Sequence, residues 1–380
     1  MRPLRVLHVV ANRWWTGSGD PALDLARALR ARGHVVLFAC VRGDALEDKA
    51  RAAGLRPVDT LSLERTARPW VLLHDVRGLR RLVRERDIEI VHTHQSHDHW
   101  LAAAAVRGLP ARLVRTVHHR RALHGGPALR WLFARTDAII AASHGIAALA
   151  RAGGMPAGRL SVVSGAIDVG RFPPDPDGGA IRAELGLGSA PVVGCVARLV
   201  PGRGHDILLH AAVHLRARVP DLRVLLVGRG EGRPAVERLG RELGLDAVVA
   251  FAGYRGDDLP QALAAMDCFV LLGSGSEESC RAVLEAMATA RPVVAARVGA
   301  LPETVVEGRT GWLVDGDPSA VADRVAAVLG DSTSARAMGL AGRARVLAEF
   351  TSEHRAARVE AVYARILAGA WGAAHVGAAD

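Results

Sequence analysis

The stretch CFVLLGSGSEESCRAVLEAMATARPVVAA, residues 268–296, decides the fold because it contains a strand, a loop, a helix and a second strand in one run. Residues 268–273 are continuously apolar, which is typical of a strand covered on both faces of a parallel sheet. A polar loop follows over 274–279, and residues 280–290 have the composition of a helix. Pro292 ends that helix, and the apolar residues after it predict the next strand.

Two glutamates frame the predicted strand-to-helix connection. Glu277 lies in the loop and Glu285 lies inside the helix. In open α/β sheets, ligands bind beyond the carboxyl ends of the strands, which is where this loop lies. A helix amino terminus offers backbone donors and a positive dipole end, and both suit a phosphate. Glutamates also occur near helix starts simply because they suit the dipole, so the pair alone leaves both readings open.

The alternation of strand and helix extends in both directions from this stretch. We predict strands at RVLHVVA (5–11), IEIVHTH (88–94) and LVRTVHH (113–119), and helices between them near 20–32 and 70–86. The run FPPDPDGG (172–179) interrupts the pattern, and a second series begins at PVVGCVARL (191–199). We predict an α/β fold with two Rossmann-like, doubly wound parallel-sheet domains, over 1–172 and 177–350.

Composition bounds the class of protein and its surroundings. The chain has 380 residues and a net charge of +10, of which residues 1–172 carry +13 and the remainder −3. The basic half is expected to attract phosphates on a lipid surface, an acceptor or a nucleic acid. No apolar run is long enough to span a bilayer, and the four scattered cysteines favour a reducing, cytoplasmic location.

The segment SEESCRAVLEAMATARPVV (276–294), followed by VGALPETVVEGRTGWLV (298–314), resembles the donor site of glycosyltransferase family 4. That family consists of retaining enzymes with the GT-B fold, in which two such domains face each other. The resemblance implies a nucleoside diphosphate sugar as co-substrate, with no metal and no other cofactor. It also implies that the helical residues from about 352 to 380 cross back onto the first domain.

The resemblance assigns roles to residues around the two glutamates. Glu285 is expected to hold ribose hydroxyls and Glu277 the hydroxyls of the transferred sugar, because an ionised carboxylate accepts hydrogen bonds from adjacent hydroxyls. The backbone of Ser279, Cys280 and Arg281 is expected to face the diphosphate. The chain departs from the family where Glu278 and Cys280 replace glycines and where Ala290 stands at a frequent glycine position.

A second donor element follows the strand that begins at residue 191. In RLVPGRGHD (198–206), Arg198 and Arg203 flank a Pro-Gly turn and match the positions at which the family carries Arg and Lys. Two guanidinium groups here are suited to stabilise the departing diphosphate. Without the resemblance, they read equally well as two solvated arginines.

The opening segment NRWWTGSGDPALDLARALRARGHVV (12–36) resembles the family's first glycine-containing loop. Gly17 and Gly19 are expected to let the backbone approach the sugar or phosphate, although a simple flexible turn explains them as well. Trp14 and Trp15 stack on an acceptor sugar, touch lipid, or anchor the loop by packing.

Histidines cluster after two strands of the first domain. Four of them are close enough in sequence to suggest a metal site: His92, His94, His97 and His99. No carboxylate or cysteine completes a recognised ligand set, so we predict no metal. By resemblance, His118 is the histidine close to the transferred sugar or acceptor, and His94 is a weaker lining residue.

The stretch WVLLHDVRGLRRLVRERD (70–87) predicts an amphipathic helix. Its arginines recur at helical spacing opposite an apolar side: Arg77, Arg80, Arg81 and Arg84 face away from Leu72, Leu79 and Val83. Such a helix either lies on anionic lipid or is an ordinary solvated surface helix. A peripheral position at the inner face of the cytoplasmic membrane follows from the first reading.

We predict a retaining glycosyltransferase that moves a sugar from a nucleoside diphosphate to a hydroxyl of a glycan or lipid-linked acceptor of the cell envelope. Its expected catalytic residues are Glu277, His118, Arg198 and Arg203. A sugar-nucleotide epimerase or a glycosyl phosphorylase on the same scaffold remains an alternative. A nucleic-acid-binding protein and a nicotinamide oxidoreductase are disfavoured, because recognition motifs and a G-x-G-x-x-G after the first strand are missing from the sequence.

Overall fold

A computed structural model describes residues 2–12, 18–273 and 281–369. The chain divides into two compact units, Met1–Ala166 with Ser352–Asp380, and Ile167–Thr351. The division falls after Ala166 rather than at the predicted residue 172. The reason is that Ile167 donates its N–H to the Phe350 carbonyl at 3.0 Å and Phe172 is buried in the core of the second unit.

The first unit is built on a six-stranded parallel sheet in the order β2-β1-β3-β4-β5-β6. Its strands are β1 (Arg5–Val10), β2 (Val35–Cys40), β3 (Ile90–Thr93), β4 (Arg112–Val117), β5 (Ala138–Ala141) and β6 (Leu160–Val162). Its helices are α1 (Gly19–Ala31), α2 (Ala45–Ala52), α3 (Pro69–Glu85), α4 (Ser96–Val106), α5 (Pro127–Ala134), α6 (His144–Ala152) and α15 (Ser352–Leu367).

Both faces of this sheet are covered, as continuous apolar strands require. Alternate side chains of β1 point to opposite faces, so Leu7 packs in the cluster that includes residues of α3 and α4. Val6 packs in a different cluster with Leu25 of α1. The helix α15 returns to the first unit and adds Val359 and Tyr363 to that second cluster.

The second unit repeats the architecture with the strand order β12-β11-β10-β7-β8-β9, and all neighbours are again parallel. Its strands are β7 (Val192–Val196), β8 (Arg223–Val227), β9 (Val249–Gly253), β10 (Cys268–Leu271), β11 (Val293–Ala296) and β12 (Trp312–Val314). Its helices are α7 (Gly179–Glu184), α8 (His205–Arg216), α9 (Arg233–Glu242), α10 (Leu259–Ala264), α11 (Arg281–Ala288), α12 (Leu301–Thr304), α13 (Pro318–Gly330) and α14 (Ser332–Glu349).

The stretch 268–296 folds as its pattern predicts in every part that is described. The apolar run forms the fully buried strand β10, which pairs with β7 on one side and β11 on the other. The helix α11 ends at Ala288, slightly before the predicted residue 290, because Ala290 adopts a left-handed φ of 57°. Pro292 then leads into β11.

The described residues also bear on two expectations from composition. No helix over 2–12, 18–273 and 281–369 is long and apolar enough to cross a membrane. Cys40, Cys195 and Cys268 are buried free thiols.

Candidate active site

The strand order of the second unit changes direction beside β7, because β8 lies on one side of it and β10 on the other. In doubly wound sheets, loops beyond the carboxyl ends of the strands at such a point line a ligand crevice. The loop after β7 carries Arg198 and Arg203, and the connection after β10 leads into α11, which carries Glu285. These predicted donor residues therefore come from two neighbouring strands.

Glycines allow the loop after β7 to pack directly against the end of β10. Gly204 has a φ of 77°, and a Cβ there would lie 2.7 Å from the carbonyl carbon of Leu272. A Cβ on Gly273 would lie 2.7 Å from the Cα of Arg203. Only glycine permits backbones to approach this closely, so the segment that carries Arg203 is fixed against β10.

The turn after β8 contacts the same loop from the other side. Leu199 donates its N–H to the Arg229 carbonyl at 3.2 Å, and Gly232 donates to the Leu199 carbonyl at 2.8 Å. The Arg198 side chain is 54% exposed and lies 3.9 Å from the carboxylate of Glu231. An exposed pair at this separation contributes little to stability, so the Arg198 guanidinium can exchange this partner for an anionic ligand.

Glu285 is buried on α11 and is paired along the helix. Arg281 donates from Nε to Glu285 Oε1 at 2.8 Å, an i,i+4 contact. A carboxylate can accept several hydrogen bonds at once, so this pairing orients Glu285 for a hydroxyl ligand. Arg281 is the first residue of α11, where backbone N–H groups have no partner within the helix.

Six of the predicted site residues lie outside the described part of the chain: Trp14, Trp15, Gly17, Glu277, Ser279 and Cys280. Of the first glycine-containing loop, the structure describes Gly19, which is buried and begins α1. The preceding Ser18 accepts a hydrogen bond at Oγ from the side-chain amide of Gln95.

Four histidines of the first unit lie side by side across β1, β3 and the end of β4. They are buried, and their ring centroids are 4.5 to 5.5 Å apart in successive pairs: His8, His92, His94 and His118. The sequence singled out three of them, and the structure places His94 Nδ1 3.2 Å from His118 Nε2. His8 was missed because a lone histidine inside an apolar strand carries no motif, and only its register opposite His92 reveals it.

His92 is held by hydroxyl groups. Its Nδ1 lies 2.6 Å from the hydroxyl of Tyr363 on α15, and its Nε2 lies 2.7 Å from Thr116 Oγ1. Burial lowers the pKa of His92 well below its ordinary value and raises the pKa of Tyr363, so both side chains are neutral at pH 7. The returning helix is thereby bonded to the centre of the sheet.

The nitrogens of His8, His92 and His94 are close enough to share a metal ion, since one ligand atom from each lies within 4.8 Å of the others. Hydrogen bonds already use both ring nitrogens of His92 and His94. The positive charge of buried Arg355 also contributes to lowering the pKa of His8, and it would repel a cation. We therefore propose no metal here, and the expectation of a metal-independent protein stays a prediction.

A buried ion pair fixes the start of the loop after β1. The Asp98 carboxylate accepts hydrogen bonds from the N–H groups of Ala11 at 3.0 Å and Gln95 at 2.9 Å, and Arg115 lies 3.6 Å away. Burial raises the pKa of Asp98 to about 7 and lowers the pKa of Arg115 to about 10. This pair was not predicted from the sequence, although Gln95 and Asp98 form a capping box at the start of α4.

The helix α3 presents a mixed apolar and basic surface. Its exposed side chains include Trp70, Leu73, Arg77, Arg81 and Arg84. Leu79 and Val83 are buried on the opposite side, as predicted. Arg80 differs from the expectation, because its guanidinium donates to the carbonyls of Ala105 at 3.0 Å and Arg107 at 2.7 Å and thus faces α4.

Comparisons with known proteins identify the family. Residues 16–171 match the family model described as Glycosyltransferase Family 4, and residues 190–331 match that described as Glycosyl transferases group 1. A GDP-mannose-dependent alpha-(1-6)-phosphatidylinositol monomannoside mannosyltransferase of Mycolicibacterium smegmatis is 34% identical over 336 residues, which cover 82% of this chain and 85% of the relative. The chain belongs to glycosyltransferase family 4. A mannosyltransferase of the same name from Mycobacterium tuberculosis is 36% identical to this family member over 88% of the chain and 91% of the relative.

Solved structures agree on the fold. The glycosyltransferase from Rickettsia africae superposes with a TM-score of 0.85 at 18% identity, covering 97% of this chain and 99% of that one. Anabaena Alr3699/HepE in complex with UDP and glucose gives 0.83 at 21% identity, covering 95% and 99%. The predicted class of two Rossmann-like domains of the GT-B type is confirmed. The predicted glycosyltransferase activity is confirmed by the family and its mannosyltransferase relatives.

Proposed function

We propose that this glycosyltransferase moves mannose from GDP-mannose to a hydroxyl of a phosphatidylinositol mannoside in the cell envelope. The observation that carries the proposal is the similarity to two mycobacterial enzymes of that named activity along 85% and 91% of their lengths. A D-inositol 3-phosphate glycosyltransferase of Nocardia farcinica is 41% identical over 48% of this chain and 42% of its own length. Both names describe an acceptor that contains an inositol phosphate.

The donor is proposed to bind to the strand ends of the second unit. Arg198 and Arg203 hold the diphosphate, since guanidinium groups match phosphate oxygens in geometry and charge. Glu285, oriented by Arg281, accepts hydrogen bonds from the ribose hydroxyls. Glu277 takes the same role toward the mannose hydroxyls. The fixed position of the loop after β7 against β10 supports this assignment, because a preformed anion site loses little entropy when the donor binds.

Transfer is proposed to retain the configuration at the anomeric carbon. When the bond to the diphosphate breaks, negative charge grows on the departing oxygen, and the guanidinium groups of Arg198 and Arg203 stabilise that charge more than they stabilise the bound donor. The departing phosphate oxygen then accepts the proton of the acceptor hydroxyl on the same face of the sugar. His118 is proposed as a polar contact of the transferred sugar or the acceptor, and Trp14 and Trp15 as acceptor-site residues.

A direct assay tests the proposal. The purified enzyme is incubated with radiolabelled GDP-mannose and phosphatidylinositol monomannoside, and the lipid product is followed by chromatography. We expect label in a dimannoside, and no transfer when UDP-glucose replaces GDP-mannose. Label that appears in another sugar nucleotide without acceptor indicates an epimerase instead, and transfer that requires free phosphate indicates a phosphorylase. Either result would overturn the proposal.

We also propose that the first unit docks at the cytoplasmic face of the membrane through the exposed side of α3. A lipid acceptor has to be reached at a membrane surface, and residues 1–172 carry a net charge of +13. Trp70 is 67% exposed and Leu73 is 47% exposed, next to three exposed arginines. Amphipathic helices with this composition bind anionic interfaces through apolar burial and charge together.

Vesicle flotation tests the membrane proposal. The substitutions Arg77→Glu, Arg81→Glu and Arg84→Glu, made together, are expected to weaken binding to phosphatidylinositol-containing vesicles roughly hundredfold, since each basic residue near an anionic surface is worth about 1 kcal/mol. The control variant carries the same charge reversal, Arg238→Glu with Arg241→Glu, on the exposed side of α9 in the second unit. It should bind the vesicles as well as the wild type does. Equal binding by both variants would refute the assignment to α3.

A further inference from the structure

Three buried imidazoles of the first unit form a continuous hydrogen-bonded series, which we call the histidine relay: His8, His94 and His118. His8 Nδ1 lies 3.0 Å from His94 Nε2, and His94 Nδ1 lies 3.2 Å from His118 Nε2. All three side chains are at most 1% exposed. His118 was predicted as a site residue, whereas the other two lie progressively further from the end of the strands, so the relay runs from the site into the core.

The inner rings of the relay are neutral. Burial, with a smaller contribution from Arg355, lowers the pKa of His8 to about 3. Burial and the neighbouring His92 lower the pKa of His94 well below its ordinary value. A neutral imidazole carries one N–H donor and one bare nitrogen acceptor. The two hydrogen bonds must therefore point in the same direction along the relay, which leaves only two arrangements.

The inner end of the relay decides between these arrangements. Within the described residues, His8 Nε2 is buried and has no hydrogen-bond partner. In one arrangement this nitrogen carries a proton, and in the other it is a bare acceptor. A buried N–H without an acceptor is rarer in proteins than an acceptor without a donor. His8 is therefore protonated on Nδ1, which donates to His94 Nε2, and His94 Nδ1 in turn donates to His118 Nε2.

We propose that His8 and His94 are positioning residues that fix His118 as the tautomer protonated on Nδ1. In this tautomer Nδ1 of His118 carries the proton, so the role of His118 in the proposed function is that of a hydrogen-bond donor and not of a proton acceptor. This changes the expectation for His94, which acts through His118 instead of lining the acceptor site. The contact of His118 with substrate rests on the proposed function, whereas the tautomer follows from the two hydrogen bonds, the neutral inner rings and the buried His8 Nε2 that has no partner among the described residues.

The tautomer is measured directly by nuclear magnetic resonance on the unmodified protein labelled with ¹⁵N-histidine. Long-range ¹⁵N–¹H correlations distinguish a protonated from a bare ring nitrogen at each histidine. We expect His8, His94 and His118 all to be protonated on Nδ1. A proton on Nε2 of His118 would overturn the proposal, and this readout requires no variant and no activity.

A pair of variants tests whether the tautomer matters for catalysis. The side-chain amide of His8→Asn replaces Nδ1–H with another donor and should preserve the relay. The carboxylate of His8→Asp, assayed at a pH above its own pKa, places only acceptors there and should reverse both hydrogen bonds. We expect His118 to shift to the Nε2 tautomer only in His8→Asp, with kcat/KM about tenfold lower than in His8→Asn, the size of one lost hydrogen bond.

The matched control is His99→Gln. His99 is equally buried but bonds to Thr136 Oγ1 at 2.8 Å and takes no part in the relay. This variant should keep both the His118 tautomer and kcat/KM. Equal kcat/KM for His8→Asn and His8→Asp, despite different tautomers, would overturn the positioning role. If the protein shows no transfer activity, both the proposed function and the positioning role are overturned. The tautomer measurement tests the histidine relay independently of activity.

Discussion

Single residues in the first unit are held by buried polar contacts that the sequence shows only in part. His94 and His118 follow apolar strands, so their place at the strand ends was predictable. The neighbours of His8 were not predictable, because they are set by the pairing of β1 with β3, and that pairing depends on the order of strands in the sheet. Arg80 shows the same limit, since helical spacing predicts its side of α3 but not the carbonyls of α4 that it reaches.

The Asp98–Arg115 pair gives a prediction at this scale. Asp98→Ala should lower the free energy of unfolding by about 3 kcal/mol, because it leaves Arg115 buried without its counter-charge and removes the acceptor for two backbone N–H groups. Urea denaturation measures the change. The matched control is Asp323→Ala, which breaks an exposed pair with Arg218 and should cost less than about 1 kcal/mol. Similar losses in the two variants would mean that Asp98 does not hold the loop after β1.

The elements follow the sequence closely where the pattern is local. Continuous apolar runs became the buried strands of both sheets, and the helix before Pro292 formed as predicted. The end of α11 was less predictable. Arg291 donates its N–H to the Ala286 carbonyl at 2.9 Å, and Ala290 donates to Met287 at 3.0 Å, which together make a Schellman motif. That motif requires a left-handed residue, and the chain uses alanine where the family frequently has glycine.

Ala290→Gly should therefore stabilise the second unit. A left-handed alanine costs about 1 kcal/mol that glycine does not, so we expect the free energy of unfolding to rise by about 0.5 to 1 kcal/mol. Ala337→Gly is the control of opposite sign, since Ala337 is exposed in the interior of α14 and glycine there should cost about 1 kcal/mol. Thermal unfolding of the two variants compares them. A lower free energy of unfolding for Ala290→Gly would show that other interactions already offset the backbone strain of the left-handed alanine.

For the whole molecule, the sequence predicted two α/β units and the family, because strand and helix alternate twice and the donor motif sits in the second series. The first segment of the first unit ends at Ala166, a few residues before the run at 172–179. The run at 172–179 is rich in proline and glycine like a linker, but Ile167 and Phe172 already pack into the second core. Local composition cannot reveal which core buries a given side chain.

The proposed activity depends on a nucleoside diphosphate sugar bound by Arg198 and Arg203. Isothermal titration calorimetry of the full chain with GDP-mannose tests this most directly. We predict binding to the wild type, a loss of about ten- to hundredfold in affinity for Arg198→Ala and for Arg203→Ala, and no change for the exposed control Arg218→Ala. Unchanged affinity in both site variants, or no binding of GDP-mannose or any other nucleoside diphosphate sugar by the wild type, would contradict it.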